Sequence, residues 1–419
     1  MDAPAHALEE PVTVATSEPA TVPKAGRSTG WFLLVAYVLF VVNAGTNLPT
    51  PLYERYREAW GFSPAILTVI YALYALTLIP ALPVFGSLSD RFERTRIMLA
   101  GIATIFVGSL VALFAQNIAW LFAVRVIQGT ALALVSGAAS TALAELEPRG
   151  DKARSAMAST AALTTGGGVG VLLAGCLAEY APAPLRTPFV VHLAIVIPAI
   201  LGLVIMPRLG HRVAAASSAP GPTVMTGRQR RGVVLACVTS FLAFAVLALF
   251  LSLGPTVVKA LLHNTSALVG ACVAVDMLGC SAIVQLFARR ATLRTKLLAG
   301  LSTLIVGLGA FVLAASTGSA AGVFVTTALG GVGQGLTFLG AVELLERAAP
   351  PEQHGKLVSV LYAASYAGGS VPVVAVGIGA STFGLLPALV AYAAMAAVSG
   401  LGLLGAVVSF ASERERHFT

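Results

Sequence analysis

Apolar positions in this chain follow neither the alternation of a strand nor the single stripe of a water-facing helix. They fill unbroken runs of about 18 to 25 residues, the length an α-helix needs to cross a hydrocarbon core roughly 30 Å thick. Such runs recur near residues 31–49, 64–86, 97–115, 119–143, 156–178 and 188–206, and again near 232–254, 267–288, 297–315, 320–342, 357–379 and 385–410. The pattern predicts an all-α membrane protein of twelve transmembrane helices. Charged residues are confined to short segments between runs. The longest of these, residues 207–231, carries Arg208, Arg212, Arg228, Arg230 and Arg231 around an Ala/Ser/Pro/Gly stretch and reads as a cytoplasmic linker. It separates an N-terminal six-helix bundle, 31–206, from a C-terminal one, 232–410. Residues 1–30 are rich in Ala, Pro, Glu and Thr and lack a basic region leading into a short apolar one. They read as a disordered cytoplasmic tail rather than a cleaved signal peptide, with 411–419 a second tail.

The two halves echo one another. Residues 86–101, GSLSDRFERTRIMLAG, end the second run and begin the third; residues 285–300, QLFARRATLRTKLLAG, occupy the same place in the second half. Likewise RVIQG at 125–129 in the fourth run matches GVGQG at 331–335 in the tenth. A shared basic loop and a shared Leu-Ala-Gly close imply duplication, hence two pseudo-symmetric bundles related by an axis along the membrane normal.

Composition fits lipid as the solvent: 57% of residues are hydrophobic and 11% charged, with a mean hydropathy of +0.88. A net charge of +8 would suggest nucleic acid in a soluble protein. Here, however, 21 of the 26 basic residues fall on one side of the predicted membrane, Arg55, Arg57, Arg186 and Lys259 on the other, and Arg125 within a helix. The positive-inside rule therefore places both termini in the cytoplasm, with lipid and no nucleic acid as surroundings, and arginine outnumbering lysine 21 to 5 fits a GC-rich bacterial genome and hence a plasma (inner) membrane. Cys176, Cys237, Cys272 and Cys280 lie inside apolar runs without the C-x-x-C spacing of a metal or redox site and read as packing residues. No H-E-x-x-H or G-x-x-x-x-G-K-[ST] segment occurs, which argues against a zinc hydrolase, a metal site and a nucleotide-driven pump, and the apolar composition argues against an enzyme.

Two ionisable residues within the apolar runs need explanation. Asp276 lies about ten residues from the end of the eighth run, where an ionised aspartate costs about 3 kcal/mol. Such a carboxyl either carries a proton or stays permanently protonated on a neighbouring backbone group. Arg125 lies about seven residues, roughly 10 Å, inside the fourth run. It either faces a polar cavity, where it would tune a nearby carboxylate, or snorkels past Trp120 to the headgroups. Gln128 continues its face. Other polar stripes mark candidate cavity faces: Asn43 and Asn47 in the first run, Gln334 and Thr337 in the tenth, Tyr362 and Tyr366 in the eleventh. Such a lining suits a neutral or cationic amphipathic molecule better than a polyanion.

Three segments carry a family resemblance. Residues 86–96, with Gly86, Asp90, Arg91 and Arg94, resemble the signature G-x-L-a-D-R-x-G-R-[RK] of the major facilitator superfamily. Glu93 stands in place of its second glycine and Thr95 in place of a basic residue. Leu121, Arg125, Gln128 and Gly129 resemble the fourth-helix signature of proton-linked members. Residues 166–175, GGGVGVLLAG, resemble the antiporter signature G-x-x-x-G-P-x-x-G-G of drug exporters, with Gly166, Gly170 and Gly175 kept, Val171 replacing the proline and Ala174 a glycine. Small residues there let helices pack closely, and Gly368, Gly369, Ser370 and Pro372 supply a comparable element in the eleventh run. The resemblance implies a gate at Asp90, with a central cavity between helices one, four, seven and ten. It implies proton-coupled export of a small organic molecule by a monomer that needs no cofactor beyond the proton gradient. A proton symporter for uptake, or a receptor that has lost transport, are the alternatives.

Overall fold

The computed structural model describes residues 29–207, 209, 225–263, 266–350 and 353–415, with side chains described except at 86–91, 152–153, 261–262, 354–355 and 411–415. Residues 1–28, most of the linker and residues 416–419 lie outside the described residues. In chain order the helices are α1 (Thr29–Asn47), α2 (Tyr53–Trp60), α3 (Pro64–Arg91), α4 (Arg94–Leu113), α5 (Ile118–Leu146), α6 (Lys152–Tyr180) and α7 (Thr187–Ile205). The second half continues with α8 (Gly227–Leu262), α9 (Ala267–Phe287), α10 (Leu293–Ser316), α11 (Ala320–Ala348), α12 (His354–Gly368), α13 (Val371–Phe383) and α14 (Leu385–Glu415). With α1 and α2 taken as the first span and α12 and α13 as the eleventh, twelve spans are long and apolar enough to cross a membrane. No strand occurs among the described residues.

Helix starts obey local chemistry. Asn117, Ser266, Thr292 and Ser319 each accept a first-turn backbone N–H through the side chain, and Thr226 with Gln229 forms a reciprocal capping box ahead of α8. Two breaks interrupt the runs. Beyond residue 49, expected as loop, Pro49 and Pro51 end α1 and a 3₁₀ turn, Thr50–Leu52, leads into α2. The apolar spacing of Leu52, Tyr53, Tyr56 and Trp60 makes α2 amphipathic, so Tyr53, Glu54 and Tyr56 are buried. Gly61, at φ 67°, closes it in a conformation that glycine alone adopts freely. In the eleventh span α12 ends at Gly368, where any side chain would strike the carbonyl of Phe241 on α8. The Ser370 hydroxyl then donates to Tyr366 O at 2.8 Å, and Pro372 occupies the first turn of α13, where its missing N–H costs nothing.

The internal repeat is visible in packing. A side chain on Gly129 of α5 would collide with Tyr74 O on α3; on Gly335 of α11 it would collide with Ser281 O on α9. In each half, therefore, the glycine after the glutamine seats the fourth helix on the backbone of the second. Ion pairs repeat too: Arg94 at the start of α4 meets Glu145 near the end of α5 (2.5 Å), and Lys296 in α10 meets Glu343 of α11 (2.6 Å), which also holds Arg347.

His192 of α7 is fully buried. Its Nε2 lies 3.0 Å from Val41 O, an acceptor only, so Nε2 carries the proton and Nδ1 accepts the Ser109 hydroxyl at 2.7 Å. The neutral ring thereby ties α7 to α1 and α4. His192→Leu strands the Ser109 hydroxyl and is expected to cost about 1–3 kcal/mol, read as a lower thermal midpoint of the purified protein in detergent.

Candidate functional site

Arg125 points inward, 2% exposed, and not toward the headgroups. Its Nη1 donates to Thr46 O at 2.7 Å and to Gln128 Oε1 at 2.8 Å, while Gln128 Nε2 donates to Gly45 O at 2.8 Å. Gly45 and Thr46 lie in the last turn of α1, whose terminal carbonyls lack helical partners and carry the negative end of the helix dipole. Three rings complete the enclosure: the guanidinium carbon is 5.1 Å from the centroid of Tyr53, 5.2 Å from Tyr74 and 5.9 Å from Tyr71. Carbonyl dipoles and aromatic faces thus replace the carboxylate that a buried cation ordinarily requires. Sequence reading missed these tyrosines. Their signal was the presence of Tyr71 and Tyr74, three residues apart, in an otherwise aliphatic run.

Asp276 sits apart from this cluster. Its Oδ1 accepts the Cys280 thiol at 3.6 Å, and its Oδ2 is shielded from solvent with no hydrogen-bond partner. No ion pair joins it to a cation among the described residues. The groups around Arg125 come from α1, α2, α3 and α5, whereas Asp276 is on α9, and no hydrogen bond or ion pair joins the two among the described residues. Nor do three His, Cys, Asp or Glu side chains converge on a metal position among the described residues.

The stripe residues fall into two groups. Gln128, Gln334 and Thr337 are buried between helices: Gln334 accepts the Ser281 hydroxyl at 2.5 Å, and Thr337 packs on Gly300. Asn43 and Asn47 are half-buried on the seam of α1 and α6, with Asn43 Nδ2 donating to Leu163 O at 2.5 Å. Tyr362 and Tyr366 instead join Phe244 of α8 and Phe338 of α11 in an edge-on aromatic wall: centroids lie 5.1 Å apart for Phe244–Phe338, 5.9 Å for Phe244–Tyr366 and 6.3 Å for Phe338–Tyr362. Tyr362 is 39% exposed.

The glycines of α6 act as spacing predicts. Side chains at Gly166 and Gly170 would overlap the carbonyls of Phe40 and Ala44, so α6 lies directly on α1. Gly175 performs the same service across the halves, against Ala271 of α9. Of the segment at residues 86–96, the side chains of Asp90 and Arg91 lie outside the described residues, and of Gly86 only the helical backbone is described. Glu93, at φ −59°, needs no glycine and pairs with Arg96 at 3.0 Å.

Polar contacts between the halves gather at the end that carries α2. Glu54 accepts the Thr256 hydroxyl at 3.1 Å and lies 3.6 Å from Lys259, which also pairs with Glu58. Glu179, held by Arg55 at 3.5 Å, accepts the first N–H of α9, that of Ala267, at 3.0 Å. Ala65 N donates to Ser381 Oγ at 3.0 Å. At the opposite end, among the described residues, Arg289 of one half lies 4.0 Å from the Met157 sulfur of the other.

Comparison with known proteins reaches the same architecture. The sequence pattern of the Major Facilitator Superfamily matches residues 33–372. A putative multidrug resistance protein, MdtD, of Klebsiella pneumoniae is 27% identical over 242 residues, covering 54% of this chain and 50% of the relative. MdtD of Salmonella typhimurium is 28% identical over 159 residues, 37% of this chain and 33% of the relative. The chain thus spans a third to a half of the length of the curated relatives it matches. Among solved structures, a variant of the nucleoside transporter NupG superposes with a TM-score of 0.74 at 11% identity, over 90% of this chain and 99% of that one. A bacterial homologue of the human lysosomal transporter Spinster, inward-facing and unoccupied, gives 0.70 at 16% identity, over 91% and 98%. Twelve apolar spans, a duplicated six-helix plan and a family match running from the first span into the eleventh have one reading, and the chain belongs to the major facilitator superfamily, as a multi-pass membrane transporter and not an enzyme.

Proposed function

We propose that this protein exports a small organic, drug-like molecule in exchange for protons, by alternating access between its two halves. The observation that carries this reading is Asp276, a carboxyl in a membrane span with one shielded oxygen unpaired and, among the described residues, no ion-pair partner. A carboxylate left in that condition is costly, so the partner it lacks is a proton or the positive group of a substrate. Binding one in place of the other at a single carboxyl is the chemistry of antiport. The aromatic wall of Phe244, Phe338, Tyr362 and Tyr366 suits a flat or cationic amphipathic molecule, and the names of the MdtD relatives point to drugs.

In this reading the protein works as a monomer in the inner membrane with both termini in the cytoplasm. The end that carries α2, with its ties between the halves, then faces outward. The test is purified protein in liposomes under an imposed pH gradient, screened with cationic dyes and antibiotics. Gradient-driven flux is expected for at least one of them. Asp276→Asn should abolish that flux and weaken exchange of a cationic substrate, because one carboxyl takes proton and substrate in turn; proton-driven flux surviving in the variant removes Asp276 from coupling. Uptake is favoured by one observation, that α6 runs unbroken through Val171 where exporters carry a proline. Flux direction in inverted vesicles separates the two.

A further inference from the structure

At the end of the bundle opposite α2, a groove of about 690 Å³ lies between the first turns of α8 and the last turns of α14. Its mouth is basic. Arg230 and Arg231 line it, and Arg228 lies at the same rim with its guanidinium 5.8 Å from the ring of Phe410. Its floor is apolar: Val234 and Val238, one and two turns on and 54% and 45% exposed, face Leu403 and Ala406 of α14. Among the described residues no Asp or Glu lines it and Arg230 has no ion pair. The chemistry therefore changes from cationic to hydrocarbon over about 12 Å of helix between Arg230 and Val238.

We propose that this groove binds one anionic phospholipid, its phosphate at Arg230 and Arg231 and an acyl chain along Val234, Val238 and Leu403. The gradient selects the occupant. A free phosphate would use the mouth and leave the apolar trough empty. The clustered arginines favour an anionic headgroup over a zwitterionic one and repel a cationic drug. Clustered arginines at the start of a span are where anionic headgroups gather, each contributing to retention. The groove lies wholly on α8 and α14 and is separate from Asp276 and the aromatic wall, so failure of this proposal leaves the transport reading untouched.

The experiment is native mass spectrometry of delipidated protein titrated with dioleoyl phosphatidylglycerol or dioleoyl phosphatidylcholine, with inorganic phosphate as competitor. One phosphatidylglycerol adduct is expected to persist at a concentration about tenfold below that needed for phosphatidylcholine. Arg230→Gln with Arg231→Gln should erase that preference. Val238→Trp, which fills the trough and keeps the arginines, should weaken the same adduct. Because all three positions are exposed, the variants should elute from size exclusion as the parent does, and Arg230→Gln alone, expected to reduce the preference in part, serves if the double variant does not. Equal binding of the two lipids, a preference that survives loss of the arginines, an adduct indifferent to Val238→Trp, or displacement by inorganic phosphate each overturns the proposal.

Discussion

Arg125→Met is expected to yield protein that folds and survives heating nearly as the parent does, yet transports at least about tenfold more slowly. The first half follows from what surrounds the guanidinium. Arg125 is buried at 2% exposure without a carboxylate, so its removal relieves the cost of a desolvated charge. That relief offsets the loss of two hydrogen bonds and three ring contacts, as when buried charges give way to apolar groups of similar volume. The second half follows from which elements the cation joins. It ties α5 to the last carbonyls of α1, at the point where Pro49 and Pro51 turn the chain into α2. The same α2 carries Glu54 and Glu58 to the other half. A charge-assisted buried hydrogen bond is worth about 1.5–3 kcal/mol, and 1.4 kcal/mol is tenfold in rate, so a tie made unequally in two conformations commands at least one decade. Arg125→Lys keeps the charge and loses the fork, and should fall between. Flux per reconstituted protein, with the thermal midpoint alongside, decides it: parental flux in the Met variant shows that the cation has no part in transport.

The boundary between what the sequence disclosed and what it withheld runs between one helix and its neighbour. Runs of 20 apolar residues disclose spans because only a helix satisfies its own backbone in lipid. Glycines four apart at Gly166 and Gly170 disclose a close crossing because nothing larger lets backbones touch. The matched glutamine-glycine pairs at Gln128 and Gln334 disclosed a repeat that recurs in packing. Which way a helix turns about its axis was not legible. Gln128, Gln334 and Thr337 read as a cavity lining, and the structure turns them into seams between helices. In a span apolar on every side, no periodicity marks the face that meets protein rather than lipid. The tyrosine enclosure of Arg125 comes from two separate helices, and the distance from Arg125 to Asp276 depends on how whole bundles sit. The α2 segment was missed for a different reason: eight residues, YERYREAW, rich in charge, read as loop until Leu52, Tyr53 and Tyr56 are seen to be buried beneath them.

Loss of the Glu54 carboxylate is expected to open the end that carries α2. Glu54 is 7% exposed and touches three groups: Arg57 on its own helix, with Nε 3.1 Å from both carboxylate oxygens, and Thr256 and Lys259 on α8 of the other half. The Arg57 contact is indifferent to rocking, because both partners travel on α2. The Thr256 and Lys259 contacts exist only while the halves are closed, and a ligand or side chain shifts an equilibrium only through what differs between its states. Their combined differential is about 1–3 kcal/mol for a partly shielded charge, above the range of an exposed pair. Glu54→Ala should therefore move the closed-to-open ratio by about tenfold. Glu58, 48% exposed at its side chain, also pairs with Lys259, but it sits in solvent, and Glu58→Gln should move the ratio far less. Spin labels at Tyr180 and Phe383, each 78% exposed at the ends of α6 and α13, in a background cleared of the four native cysteines, would report the opening as a longer distance population. Thr256→Val added to Glu54→Ala should lengthen it little further, because both changes break one contact. If the distances hold in Glu54→Ala and lengthen in Glu58→Gln, the exposed pair is the tie that holds the halves together at this end.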